Sequence, residues 1–512
     1  MIGSSESDPR EDELFERCRR LFERHPLIVG SNRGPLEFHS TSEGVLQPRR
    51  GSGAIVTALN PLTRSFEFSW VASAMGEGDR RASEVAEGQS IESPLPNQKV
   101  SLRYVITPRR MYHKFYNIIC NPLLWFLQHR MWSPPFTPNI DSVVYDAWET
   151  GYEPVNRAFA DGIIAEASGK SGTPVVLLHD YHLYLVGGMV REQIPEAIIY
   201  HFIHIPWPAP DLLQLLPAFM RTKVCRSLCS ADLVGFQSTW DVHSFLESCR
   251  LFVDGAEVDF NEGIVRTNGR ETNVKAFPTA IDVEEVRRIA ASPRALDYEQ
   301  RLRALCGEQT VIRVDRAEPS KNIVRGFRAY QIFLEQHPEF HERVKFLAFL
   351  VPSRTHVRQY ERYQEEIENV VRGINQTFGS ESWVPVQVIY ENNYTQALAG
   401  MGLYDVLLVN PLADGMNLVA KEGPVVNKNN GVVILSEATG AYEQLKVGAL
   451  AVAAADLQGT AEALYKALIM SSEERSQRNQ ELIDVVSSEN ATHWLLSQIR
   501  ELDSISNQLP QH

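Results

Sequence analysis

Short apolar runs, recurring between amphipathic stretches, set the plan of this chain. Pro26-Leu-Ile-Val-Gly30 predicts a first strand that enters the loop Ser31-Asn-Arg-Gly-Pro35. From about residue 172 the rhythm is strand, loop, helix, with apolar runs at 175–178, 198–203 and 233–236. A second series follows after about 280, with runs at 311–314, 346–350, 386–389, 406–409 and 432–435. Runs without polar alternation suit parallel strands, whose two faces are both covered by helices. Ile323, Phe327, Tyr330, Phe333 and Leu334 recur at spacings of three and four and predict a helix with one buried face. Leu14, Cys18, Leu21 and Phe22 predict a short amphipathic helix ahead of the first strand. Residues 79–100 are charged and irregular, and predict surface excursions.

Two strand–helix series in one chain predict an α/β protein with two doubly wound sheets and a ligand cleft. The expected division is an N-terminal extension (1–25), a first domain (26–280) and a second domain (281–480). A C-terminal helical segment (481–512) is expected to pack back on the first domain. No internal repeat and no low-complexity linker interrupts this plan.

Composition narrows the function class. The 512 residues are 44% hydrophobic and 22% charged, enough for two or three globular cores. A net charge of −14 argues against a general nucleic-acid or anionic-membrane binder, but leaves room for a local phosphate pocket. No run approaches the roughly 20 apolar residues of a membrane span, and the charged start lacks a signal-peptide pattern. The expectation is a cytoplasmic protein. Six scattered cysteines are expected as reduced thiols; Cys225 and Cys229 would lie one helical turn apart, with no partner pair at zinc spacing.

The sharpest chemistry lies in the second series. Val314-Asp-Arg-Ala-Glu-Pro-Ser-Lys-Asn322 leaves a strand and opens a helix, so Arg316 and Lys321 fall at the carboxyl edge of a sheet. Two cations beside a helix start suit a diphosphate, although a surface basic pair would read the same. Asn410-Pro-Leu-Ala-Asp-Gly-Met-Asn-Leu-Val-Ala-Lys-Glu422 makes the same passage. There Gly415 permits close backbone approach, and the amides of Met416, Asn417 and Leu418 can face an oxyanion. Asp414 and Glu422 suit sugar or ribose hydroxyls; alternatively Asp414 caps the helix and Glu422 is solvated. In the first series His179-Asp-Tyr-His182 and His204-Ile-Pro-Trp-Pro208 close apolar strands. Four histidines (His179, His182, His201, His204) with a single adjacent carboxylate lack a metal pattern, so Asp180 and His204 read better as sugar-hydroxyl contacts. Tyr116 and Trp125 suit either core or sugar platform. Arg33 is a candidate phosphate ligand, and Gly51-Ser-Gly53 is a weak turn signal.

Together, and in this order, His179-Asp-Tyr-His182, His204-Ile-Pro-Trp-Pro208, Gly235-Phe-Gln237, Ser320-Lys321, Asp414–Glu422 and Leu435-Ser-Glu437 resemble the trehalose-6-phosphate synthases. These are retaining glycosyltransferases of family 20, and the likeness runs from Ser31 to about Leu502. It implies a GT-B fold, two Rossmann-like domains facing a central cleft. It also implies transfer of glucose from UDP- or GDP-glucose to glucose 6-phosphate, with no metal and no cofactor. By matching position, Arg316, Lys321, Asp414, Gly415, Met416, Asn417, Leu418, Val419, Ala420, Lys421 and Glu422 would form the donor site, with Gly53 approaching the donor phosphate. Arg33, Tyr116, Trp125, Asp180 and Arg354 would hold the acceptor, the two arginines on its phosphate. Trp125 and His204 would bear on anomer selection, and Arg316, Lys321, Asp414 and His204 on catalysis. The implied partners are small molecules, with no nucleic acid or membrane; a homo-oligomer is compatible with the sequence, which does not fix its size.

The chain departs from the family pattern in three places. Gly51-Ser52-Gly53 replaces a Gly-Gly turn, and Arg316-Ala-Glu-Pro-Ser-Lys-Asn322 keeps only the charged ends of Arg-Leu-Asp-Tyr-Ser-Lys-Gly. Ala413 replaces an arginine. The G-x-G turn, Trp70–Ala74 with Asp79–Ser83, and the Pro-x-Lys-Asn ending resemble validoxylamine 7′-phosphate synthase, which couples a cyclitol nucleotide to an aminocyclitol phosphate. Tyr116 and the intact run from Asp414 favour the glycosyltransferase. A sugar-phosphate sensor without catalysis is the remaining alternative, disfavoured because the cations and Glu422 are present.

Overall fold

The computed structural model describes residues 9–41, 45–51, 54–131, 139–354 and 358–508. The chain forms two compact units. Met1–Gln128, Thr137–Phe277 and Thr492–His512 make the first; His129–Phe136 and Pro278–Ala491 make the second. The main join between them is at Phe277/Pro278.

The first unit carries β1 (Leu27–Ser31), β2 (Leu36–Ser40), β3 (Leu46–Arg50), β4 (Phe68–Ser73), β5 (Ile91–Glu92) and β6 (Val100–Val105). It continues with β7 (Val175–His179), β8 (Ile198–Phe202), β9 (Leu233–Phe236), β10 (Glu257–Asp259), β11 (Ile264–Thr267) and β12 (Arg270–Ala276). Ten strands form one sheet, in the order β10-β11-β12-β9-β8-β7-β1-β4-β6-β5, and β2 and β3 form a separate hairpin. The segment from β6 to β12 is parallel, and antiparallel strands finish both edges. Its core order β6-β4-β1-β7-β8-β9 is that of a Rossmann sheet, with the strand order reversing between β1 and β7. Every residue of β1, β7 and β8 is buried, as continuous apolar runs require.

The second unit carries β13 (Gln309–Arg316), β14 (Val344–Val351), β15 (Val386–Tyr390), β16 (Val406–Val409), β17 (Val432–Ser436) and β18 (Leu450–Val452). All are parallel, in the order β15-β14-β13-β16-β17-β18, so the reversal falls between β13 and β16. Helix Ile323–Gln336 buries Ile323, Phe327, Tyr330, Phe333 and Leu334, the stripe predicted from spacing. They join Val311, Phe346 and Leu408 in one apolar layer.

Several local expectations are corrected. Residues 86–99 are the surface excursions expected, with none buried, but 79–85 are not: Glu77–Val85 is a helix, and Asp79 is buried. Its carboxylate accepts from the Phe38, Met75 and Gly76 amides and from the Tyr104 hydroxyl, which anchors the β2–β3 hairpin. The leading helix Pro9–Arg24 buries Leu14, Cys18 and Leu21 within the first unit, so it is part of that core rather than an appendage; Phe22 is only half-buried. The segment 481–512 is not one element. Helix Ser472–Ser488 runs into its first part and stops there, and helix Ala491–Gln508 begins a new course, of which Thr492 onward belongs to the first unit. Among the described residues no helix is long and apolar enough to cross a membrane. The six cysteines form no disulfide among the described residues, and Cys229 Sγ lies 3.5 Å from Cys249 Sγ.

Candidate functional site

In an open α/β sheet, ligands gather at the carboxyl ends of the two strands where the order reverses, because the loops there diverge and leave a crevice. In the second unit those loops follow β13 and β16, and they hold both sequence-predicted constellations. Lys321 Nζ donates to Asp414 Oδ2, which joins the two loops, and Asn417 Nδ2 donates to the same oxygen at 3.0 Å. Both partners are largely buried, their side chains 12% and 15% exposed. Burial opposes each charge, but the pairing prevails: Lys321 is raised and the Asp414 carboxyl is lowered.

The loops are tied further. Leu412 N donates to Ser320 O at 2.9 Å, and Asn322 Nδ2 donates to Asn410 O at 2.9 Å and to Ala454 O at 2.7 Å. Arg313, fully buried in β13, donates to Asp315 Oδ2, Lys321 O and Asn410 Oδ1. Sequence reasoning passed over this residue. The available signal was a lone cation inside a buried apolar strand, where charge is rare unless it is paired. Asn322 takes φ 58°, the left-handed conformation that glycine adopts freely and asparagine tolerates better than most residues. The asparagine therefore keeps the backbone turn that a glycine would supply at this place.

Asp414 is not the cap of the following helix. That role falls to Asn417, which has φ 72° and accepts from Ala420 N through Oδ1 at 3.2 Å. Leu418 lies just ahead of helix Val419–Val426, and its carbonyl accepts from Lys421 N and Glu422 N. Met416 O accepts from Ala441 N, and a Cβ on Gly440 would sit 1.8 Å from Gly415 O, so the two loops pack with no room for a side chain there. Glu422 is buried rather than solvated, at 8% exposure. Burial pushes its carboxyl up to about 7, against a 2.8 Å hydrogen bond from the Tyr394 hydroxyl. Lys421 donates to Thr279 O at 2.7 Å, and burial lowers it to about 8. Arg316 is exposed at its tip, with Nη1 2.9 Å from Glu318 Oε1. Arg354, in the loop after β14, also lies in the second unit; its guanidinium sits 5.3 Å from the centre of the Tyr360 ring.

The first unit repeats the arrangement at β1 and β7. Asn32 and Arg33 follow β1, and Asp180 follows β7. Arg33 is exposed. Its loop is fixed from below: Ser31 Oγ donates to Arg33 O at 2.6 Å and accepts from Trp70 Nε1, while Asn32 Oδ1 accepts from Ser73 Oγ and from the Tyr112 hydroxyl. Tyr112 stacks on Tyr116, and Tyr116 stacks in turn on His182, with ring centres 5.6 and 5.9 Å apart. Asp180 holds φ 73° with ψ 171°, a region open essentially to glycine alone, and strain of this kind clusters at functional sites. His201 Nε2 lies 3.0 Å from Asp180 O. A carbonyl only accepts, so the imidazole donates from Nε2.

Phe115–Trp125 is π-helical and contains Pro122, an irregularity that periodicity could not reveal. It sets Tyr116 half-exposed and Trp125 buried against Tyr181, 5.9 Å between ring centres. His204 Nε2 lies 3.2 Å from His179 Nδ1, and loss of solvation lowers His204 to about 3 and His201 to about 4, so both are neutral imidazoles. Among the described residues no cluster of three or more histidines, cysteines or carboxylates is arranged to hold a metal. Gly53 lies outside the described residues. Gly51 beside it has no room for a side chain, since a Cβ would meet Gly34 O at 2.1 Å.

Residues 25–504 match the model of glycosyltransferase family 20. A probable α,α-trehalose-phosphate synthase [UDP-forming] of Arabidopsis thaliana is 30% identical, over 94% of this chain and 57% of its own; the chain thus spans little more than half of that relative. Two solved structures are similar throughout. One, from E. coli, is a trehalose-6-phosphate protein bound with UDP-2-fluoro glucose (TM-score 0.79, 25% identity, 95% of this chain and 100% of that one). The other is a UDP-forming α,α-trehalose-phosphate synthase of Burkholderia xenovorans in complex with glucose 6-phosphate (TM-score 0.78, 26% identity, 93% and 99%).

Proposed function

The chain belongs to glycosyltransferase family 20, and from that membership we propose that it transfers glucose from a nucleoside-diphosphate glucose to glucose 6-phosphate. The product is α,α-trehalose 6-phosphate. One observation carries this reading: Lys321 and Asp414, from the two loops at the reversal point of the second sheet, are paired beside Arg316. The Arabidopsis, E. coli and Burkholderia relatives support the substrates, with UDP-glucose as the first donor to test.

In this reading Arg316, Lys321 and the start of helix Val419–Val426 neutralise the donor diphosphate, which lets the nucleotide leave. The reading assigns that neutralisation to protein cations, so it requires no metal. Asp414 exchanges its contact with Lys321 for one to the donor sugar, and Glu422 accepts from ribose hydroxyls. Asp180, Tyr116 and Trp125 orient the acceptor sugar in the first unit, and Arg33 and Arg354 are phosphate-binding cations. His204, a neutral donor or acceptor, contacts a sugar hydroxyl. The acceptor's anomeric hydroxyl attacks the face from which the diphosphate departs, and a departing phosphate oxygen takes its proton. The configuration is retained without a protein nucleophile, and much of the rate comes from positioning.

The test is incubation with glucose 6-phosphate and, separately, UDP-, GDP- and ADP-glucose, followed by mass spectrometry and NMR. An α,α-1,1-linked disaccharide phosphate with release of one nucleotide is expected. Nucleotide release with an aminocyclitol phosphate alone would overturn the acceptor and leave the donor site standing. Absence of turnover with every pair, despite ligand binding, would overturn the enzyme reading in favour of a sensor.

A further inference from the structure

Glu318 has no role in the reading above, yet its surroundings are unusual. It lies just past β13 and is fully buried. Its Oε1 accepts from Ser353 Oγ at 2.7 Å and stands 2.9 Å from Arg316 Nη1 and 3.5 Å from Arg354 Nη1. Among the described residues its Oε2, also buried, has no hydrogen-bond partner. A buried carboxylate with an oxygen left over is costly. A neutral side chain of similar size would remove that cost. The two guanidinium groups come from the last residue of β13 and from the loop after the adjacent strand β14, and would repel each other without an anion between them. Arg354 is further constrained: its Nη1 donates to the Tyr360 hydroxyl, and its backbone holds φ 44°.

We infer that Glu318 is a positioning residue for anion binding in the second unit, its single carboxylate holding Arg316 and Arg354 together as a paired phosphate-binding fork. Each guanidinium carries five N–H donors in a rigid plane, and one shared carboxylate oxygen fixes that plane while occupying only part of the set. The inference rests on the proposed glycosyl transfer for the identity of the phosphates, donor diphosphate and acceptor monoester. The fork as such would recognise any phosphorylated ligand. Its consequence is a division of labour. The carboxylate lowers the local positive charge, so simple anions bind less tightly, while it orders the arginines for a substrate that must be held in one pose. Neutralising Glu318 therefore strengthens the binding of an inorganic anion and weakens catalysis, two effects that a merely structural residue would not separate.

The experiment compares wild type with Glu318→Gln and Glu318→Asp by calorimetric titration with inorganic diphosphate and by steady-state kinetics of sugar transfer. Glu318→Gln is expected to bind diphosphate several-fold more tightly and to lose about 10- to 100-fold in kcat, with KM changing less. Glu318→Asp is expected to restore the diphosphate affinity of wild type and part of kcat. Unchanged diphosphate affinity and kcat would overturn the inference. So would a parallel loss of kcat, KM and diphosphate binding together with a lowered melting temperature. If Glu318→Gln does not fold, Ser353→Ala removes one donor from the carboxylate and is expected to shift both readouts the same way by less; no shift in either overturns the fork. If wild type transfers sugar to no acceptor, the glycosyl-transfer reading fails while the diphosphate titration still decides the fork.

Discussion

Lys321 and Asp414 each depend on the other to remain charged in a largely buried position. Lys321→Ala removes the partner and leaves a carboxylate without its cation, a change that costs about 3–5 kcal/mol for a buried pair. It also removes one of the cations assigned to the leaving diphosphate, where losing a single stabilising group costs about 10²–10³ in turnover. Both losses are expected, one in denaturant unfolding and the other in nucleotide release. Wild-type turnover with unchanged donor affinity would remove Lys321 from the mechanism. Glu422 gives a prediction in pH. Its folded carboxyl is raised by burial to about 7 from the ordinary 4.5, so the folded state keeps a proton that the unfolded chain releases earlier. The resulting stabilisation is fully present below about 4.5 and is lost as the pH rises through about 7. Relative to Glu422→Gln, wild type should lose about 3 kcal/mol between those limits. Unfolding of both proteins from pH 4.5 to 8 measures it, and parallel profiles would show that Glu422 titrates normally.

The loop between β13 and helix Ile323–Gln336 shows how an element's ends carry the site. Asn322 opens the helix with φ 58° and bonds both Asn410 O and Ala454 O. Asn322→Gly keeps the backbone angle and loses the two bonds, each worth about 1 kcal/mol. Asn322→Ala loses the same bonds and adds the strain of a left-handed alanine, about 1 kcal/mol more. The expected order of stability is wild type, glycine, alanine, read from denaturant midpoints; an alanine variant as stable as the glycine one would mean the helix start relaxes. What sequence could supply follows the same division. The strands β7, β8, β9, β13, β14, β16 and β17 announced themselves because burial on both faces leaves continuous apolar runs; β15 carries such a run at the sheet edge, with Val386 alone fully buried. The edge strands β10 to β12 mix Glu257, Asp259, Arg266 and Arg270 with a few apolar residues, and β18 has three residues, so neither made a run. Arg316, Lys321, Asp414 and Glu422 were visible as polar residues in segments that leave a strand and enter a helix. Asp79, Arg313 and Glu318 were not, because their roles consist of contacts with residues distant in sequence or with neighbouring loops.

At the scale of the whole molecule, the first unit is closed by both ends of the chain. Helix Ala491–Gln508 meets helix Pro9–Arg24 through Arg17–Asp503 (3.0 Å) and Arg500–Glu13, and Ser506 Oγ lies 2.8 Å from His25 Nε2. On its other side Trp494, 3% exposed, donates from Nε1 to Phe277 O at 3.0 Å, and its ring stands edge-on to Phe202 at the end of β8. Gln498 Oε1 accepts from the buried Tyr200 hydroxyl at 2.8 Å. The ion pairs are partly solvated and contribute little each, so the apolar seating of Trp494 should dominate. Trp494→Ala is expected to cost about 3–5 kcal/mol, and the loss should fall on the first unit, whose β8 it helps to cover. Limited proteolysis followed by mass spectrometry separates the possibilities. Faster cleavage within 139–277, with 278–491 still protected, is the expected pattern. Faster cleavage confined to 278–491 would mean that the terminal helix stabilises the second unit instead. Because β8 leads directly to His204, the same variant should also weaken any sugar transfer, although no residue it removes would touch substrate.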